Sequence, residues 1–197
     1  MAKIPQTVPL KYEELSGFLS AKQLSEHHTL YAGYIKKTNE IREKLKTVDL
    51  SSANATQSDL RSLKDGETFG VNAYKLHEHY FDNMAQNGSK PSEKLMAKIN
   101  EDFGSYEEFE KMFMACGMAV RGWVILAWDL DEEALRIYAA DAHNVGAVWS
   151  AIPLLILDIY EHAYFVDYAT GRKAYVEGFM KNIDWEVVNE RVEKWMK

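Results

Sequence analysis

Residues 21–46 carry an uninterrupted helical period, with Leu24, His27, Tyr31, Tyr34, Thr38, Ile41 and Leu45 on one stripe. A helix of that length must bury such a stripe against a second element. The nearest candidate follows directly. After a polar break at 48–57, rich in Ser, Asn and Thr, a second period places Phe69, Ala73, His77, Tyr80 and Met84 on one face. The pair predicts an antiparallel helical hairpin, and each stripe brings a histidine, His27 or His77, into its interior.

Residues 87–91, Asn-Gly-Ser-Lys-Pro, are dense in turn formers and close this helical half. Residues 91–103 and 105–119 read as two more helices, the second with Ser105 as N-cap and Glu107 and Glu108 in its first turn. The period then changes. Residues 123–128 and 134–140 are short, apolar and rich in β-formers, joined by an acidic turn at 129–133, which predicts an antiparallel strand pair. The run 154–158 is a third strand candidate, and 171–197 returns to helical segments. The expected fold class is therefore α+β: an N-terminal antiparallel helical hairpin followed by a three-stranded antiparallel sheet with surrounding helices. Two halves are expected, 1–88 and 89–197, with the site between them.

The charge balance, 23 basic against 30 acidic residues, lacks the cationic footprint that phosphate backbones select, so nucleic acid is not an expected partner. Cys116 is the only cysteine, which rules out an intrachain disulfide and a cysteine-rich zinc or iron–sulfur site and fits a reducing compartment. Residues 1–11 have neither a basic run nor an apolar core ahead of a small-residue cleavage site, so no secretory signal is expected and the cytoplasm is the expected location. The longest apolar runs, as in 152–158, fall far short of the roughly 20 residues a membrane helix needs.

Six histidines occur, at 27, 28, 77, 79, 143 and 162. A single buried histidine is ordinarily a satisfied core residue. Asp158, however, ends the apolar run Leu154-Leu-Ile-Leu, with His162 four residues on, and a carboxylate at the end of a buried strand is costly unless paired or bound to a cation. A turn-capping role for Asp158 leaves the buried imidazoles unexplained. A metal accounts for His27, His77, Asp158 and His162 together, because imidazoles and one carboxylate suit iron, manganese or zinc.

The segment Asp158-Ile-Tyr-Glu-His-Ala-Tyr-Phe-Val-Asp-Tyr168 resembles the C-terminal signature of the iron/manganese superoxide dismutases, in which Asp-x-x-x-His supplies two metal ligands. Gly122-Trp123, Leu76-His77-Glu78 and Asn182-Ile-Asp-Trp185 resemble further landmarks of that family, in the expected order. The resemblance implies one iron ion per chain, with manganese as the alternative, held by His27, His77, Asp158 and His162 with a solvent molecule as fifth ligand. It implies superoxide as substrate, Tyr34 as the gate to it, and Trp123 and Tyr160 among the residues around the metal. It also implies a homodimer, possibly a tetramer, in which Glu161 reaches across the two-fold axis to the partner's copy of His162.

Three departures from the family pattern stand out. Most members place the first histidine eight residues before the tyrosine, whereas His27 and Tyr34 are seven apart; an ungapped match puts Glu26 in the site, and His28 also competes. His27 is preferred because it shares a face with Tyr31 and Tyr34. The family's usual glutamine that bonds the metal's solvent ligand is missing, since no glutamine follows Gln86. His143, within Ala140-Asp-Ala-His-Asn, stands in its place, as in the subgroup that uses histidine there. Finally, a histidine–tyrosine pair that the family forms across the subunit boundary is replaced by Tyr31 and Phe165, which could make an aromatic contact instead. Two other function classes compete: a zinc hydrolase, for which no His-Glu-x-x-His motif is present, and a non-catalytic metal-binding or interaction protein on the same fold.

Overall fold

The computed structural model describes residues 3–86 and 88–196; Met1, Ala2, Asn87 of the expected linker and Lys197 lie outside the described residues. Helix α1 spans Ala21–Leu45 and α2 spans Asp59–Asp82, each opened by a serine, Ser20 or Ser58, whose side chain accepts a first-turn N–H. They pack as the expected hairpin. Gly70 makes the close approach possible: a Cβ there would stand 2.5 Å from Thr38 Oγ1.

Helix α2 stops at Asp82 and does not carry Met84 on its face, contrary to the period read from the sequence. The cause is Asn83, whose side chain accepts the N–H of Ile156 (2.9 Å) and donates to its carbonyl (3.2 Å), tying the chain to the sheet. Met84 is buried instead in a bridge to Ile183. The connection that follows is pinned too: Ala85 and Ser89 donate to the carbonyls of Asn182 and Ile183 at 2.8 and 3.1 Å.

Helices α3 (Glu93–Phe103) and α4 (Tyr106–Ala119) come next, with Ser105 capping α4 through the Glu108 N–H. Strands β1 (Trp123–Asp129), β2 (Ala134–Ala140) and β3 (Ala151–Asp158) form an antiparallel sheet in the order β2-β1-β3. Strand β3 starts three residues before the apolar run and includes Pro153, which an edge strand next to a bulge tolerates. A 3-10 turn (Glu161–Ala163) and a short helix α5 (Phe165–Tyr168), neither expected from the sequence, lead to α6 (Arg172–Lys181) and α7 (Trp185–Trp195). Among the described residues the architecture is the α+β one the sequence predicts. Trp123, Phe109, Phe113, Phe179 and Tyr175 are fully buried between sheet and helices, each contributing about 1.5–3 kcal/mol of apolar burial. No described helix is long and apolar enough to cross a membrane.

Candidate metal centre

Four side chains from four elements meet at one point: His27 from α1, His77 from α2, Asp158 from the last position of β3, and His162 from the 3-10 turn. The register of the sheet fixes the third of these, because Asp158 pairs with Trp123 at the start of β1. The Nε2 atoms of His27, His77 and His162 lie 3.1, 3.6 and 3.4 Å from Asp158 Oδ2. Ligand bonds of about 2.1 Å to one cation set neighbouring ligand atoms about 3.0–3.6 Å apart. The cluster therefore has the spacing of a coordination sphere.

Its unsatisfied atoms point the same way. Nε2 of His77 and Nε2 of His162, both facing Asp158, are buried without a hydrogen-bond partner. Such atoms cost about 1–3 kcal/mol each, and native interiors hold few of them. The Nδ1 of His77 lies 2.7 Å from the carbonyl of Ala73; a carbonyl only accepts, so Nδ1 carries the proton and Nε2 presents a lone pair to the cluster. Burial pushes the imidazole of His77 down to about 3 and that of His27 down as well. Burial alone would raise Asp158, but the neighbouring imidazoles of His162 and His27 hold it well below the usual carboxylate range. Its second oxygen is occupied, since Oδ1 accepts the N–H of Tyr160 at 2.9 Å. Lone pairs on imidazoles and an ionised carboxylate form the donor set that a divalent or trivalent cation takes up, so the residues present fit a metal.

Beside the cluster, Trp123 Nε1–H donates to His143 Nδ1 at 3.0 Å, and His143 Nε2 meets the Tyr34 hydroxyl at 3.0 Å. Burial lowers His143 to about 4 and raises Tyr34 to about 12, so both are neutral near pH 7. Tyr160 stacks on the His162 ring at 5.0 Å, while Phe81 packs edge-on against His27 at 4.9 Å and Phe69 against His143 at 4.6 Å.

The structure brings His27 into the cluster and leaves its two competitors outside. Glu26 is exposed, and His28 Nε2 faces the carbonyl of Val8 at 2.8 Å. Tyr31 is buried, donating its hydroxyl to Glu78 at 2.8 Å and accepting the N–H of Val8. Phe165 is 49% exposed, and Glu161 is exposed with no ion pair among the described residues. Two contributors escaped the sequence. Tyr175 donates to the Asp158 carbonyl at 2.8 Å from α6, a contact with no local signal. The Ala73 carbonyl that orients His77 was within reach of inference, because position i−4 of a helix lies against the side chain at i.

A helical hairpin and a sheet converging on a histidine–carboxylate cluster define a mononuclear metalloprotein. The family description "Iron/manganese superoxide dismutases, C-terminal domain" matches residues 91–191. Over nearly its whole length the chain is similar to the superoxide dismutase [Fe] of Aquifex aeolicus, at 44% identity covering 99% of this chain and 93% of that protein. It is 45% identical to the superoxide dismutase [Fe] of Aquifex pyrophilus over 95% of this chain and 90% of that protein. A superoxide dismutase [Mn] 1 of Halobacterium salinarum is 33% identical over 95% of this chain and 93% of its own. The chain belongs to the iron/manganese superoxide dismutase family.

Proposed function

We propose that this chain disproportionates superoxide, two superoxide anions and two protons giving dioxygen and hydrogen peroxide, with one iron held by His27, His77, Asp158 and His162 and manganese as the alternative metal. The observation that carries this reading is the convergence of three imidazole Nε2 atoms within 3.6 Å of one buried carboxylate oxygen. The two relatives at 44–45% identity, both named for iron, favour that metal. A redox metal bound there supplies the one-electron exchange by which one superoxide is oxidised and a second reduced.

The chain's own residues supply charge, protons and dryness. Asp158 contributes a fixed negative charge. Tyr34 receives the Nε2–H of His143, so its own O–H stays free to donate toward the substrate side. Trp123 holds the His143 ring in the required tautomer. Phe69, Phe81, Trp123 and Tyr160 wall the cluster and keep bulk water out, which strengthens each electrostatic contact inside.

The same reading takes 1–88 and 89–197 as the two halves that enclose the site, and the cytoplasm as the location, in keeping with the lone Cys116. It also includes a homodimer. The His162 side chain is 26% exposed although its Nε2 is buried, so the opposite ring edge is open to an acceptor from outside. Glu161 of the partner subunit is that acceptor, and it fixes the ring. The test is to strip the metal with a chelator, reload with iron or manganese, and measure superoxide consumption. Activity should vanish on stripping and return with one of the two metals; full activity in the stripped protein, or none with either metal, would refute the reading.

A further inference from the structure

His162 is the member of the cluster that packing holds least. The side chains of His27, His77 and Asp158 are fully buried, whereas that of His162 is 26% exposed. Its element is a 3-10 turn of three residues with no side-chain cap of its own, followed at once by α5, a helix of four residues. Elements this short do not hold themselves in place, because too few backbone bonds oppose the entropy of the chain. The turn must be fixed from outside.

Gln23 meets that need from the first turn of α1. It is fully buried, with both ends of its amide in use: Nε2 donates to the carbonyl of His162 at 2.7 Å, and Oε1 accepts the N–H of Val166 at 3.0 Å. One bond takes a carbonyl of the 3-10 turn and the other an N–H from the first turn of α5, the kinds of group that short helices leave unpaired at their ends. An ionised carboxylate of the same size would lack the donor, and an aliphatic chain would lack both donor and acceptor. The Gln23 backbone is itself held by Ser20. Ser20 Oγ accepts the Gln23 N–H at 3.1 Å, and Ser20 gives its own N–H and O–H to the Asp167 carboxylate, both at 2.7 Å.

Gln23 lies one helical turn before His27, on the same face of α1. The helix that brings one imidazole to the cluster therefore also grips the turn that brings another, 139 residues on from Gln23, and the His27 and His162 rings meet at 4.9 Å between centroids. Resting on the reading of the cluster as a metal site, we infer that Gln23 is a positioning residue of that site: it locks residues 161–168 to α1, so that His162 Nε2 stays aimed at Asp158 Oδ2 before any metal arrives. An imidazole held in this way needs no rearrangement to bind and cannot swing aside as the first step of metal loss. Gln23 thus acts on metal retention and on the field at the metal, through the His162 backbone and without touching the substrate.

The test compares Gln23→Met, which keeps the length of the side chain and removes both bonds, with Ser58→Ala, which removes the cap at the end of α2 remote from His77. All proteins are full-length, stripped of metal and reloaded with iron. Native protein that takes up no iron overturns the metal reading and the inference with it; once iron is bound, the variants decide the role of Gln23. Gln23→Met should release iron to a chelator about tenfold faster or more and change the rhombicity of the ferric electron paramagnetic resonance signal. In the metal-free protein it should speed hydrogen exchange at the Val166 amide. Ser58→Ala should lower the melting temperature and alter none of the three. If Gln23→Met does not fold, Gln23→Asn, whose amide falls a methylene short, is read by the same measures. A native rate of iron release or a native ferric signal in the Gln23 variant, or the same changes in Ser58→Ala, overturns the inference.

Discussion

An indole N–H can only donate, so the bond from Trp123 makes His143 Nδ1 an acceptor and puts the proton of the neutral ring on Nε2, facing Tyr34. His143→Leu removes that donor without touching the four clustered residues. The variant should keep its metal and lose turnover by about 10²-fold or more, whereas His143→Gln, which can accept from Trp123 and donate to Tyr34, should retain much more. Unchanged turnover in His143→Leu would show that the ring takes no part. Burial also lowers His77 to about 3 and His143 and His79 to about 4 from an ordinary 6.5. In the metal-free protein the unfolded chain therefore binds more protons than the folded one between those values, and stability rises with pH across that interval. Denaturant midpoints of the metal-free protein should be level above about pH 7 and fall as pH drops from about 6.5 toward 4; a midpoint that holds or rises there would contradict the burial of neutral imidazoles. His27 and His77 were legible in the sequence as histidines on apolar stripes and Asp158 as a carboxylate ending an apolar run, whereas His162 rested on the resemblance of Asp158-x-x-x-His162 to the family signature. The proton on His143 was not legible, because it depends on an indole twenty residues away that only the folded sheet brings near.

The hairpin rests on how closely α1 and α2 approach, and Gly70 sets that distance. A Cβ at this position would meet Thr38 Oγ1, which is itself committed to the carbonyl of Tyr34 at 2.8 Å. Gly70→Ala should therefore destabilise the protein by about 1–3 kcal/mol through overpacking, and should depress activity as well because the displaced turn carries Tyr34. Thermal melts and turnover measured on the same sample check this, and a melt equal to that of the native protein would show that the helices have room to spare. Both helices were legible as periods because each buries one continuous stripe. The end of α2 was not: Met84 continues the helical spacing, yet a side chain–backbone bond from Asn83 to β3, 73 residues away, ends the helix first. The 3-10 turn that carries His162 escaped for the same reason, since three residues hold no period to read.

At the scale of the whole molecule, the site depends on α1, α2, β3 and the turn after β3 closing on one another, which the metal cluster reports directly. Sequence periods predicted the elements, but the bonds of Asn83 to Ile156, of Ala85 and Ser89 to the carbonyls of Asn182 and Ile183, and the β1–β3 register bring Asp158 to the hairpin. Glu161→Ala should weaken dimerisation and metal retention together, as read by sedimentation and metal content; loss of one without the other would separate the turn from the interface. The central claim, that His27, His77, Asp158 and His162 hold one redox metal, is tested most directly by anomalous diffraction from crystals of the purified protein at the iron and manganese absorption edges. The account predicts a single anomalous peak per chain, at the iron edge or at the manganese edge, centred among three Nε2 atoms and Asp158 Oδ2. A peak elsewhere, a peak for zinc alone, or none in fully active protein would contradict it.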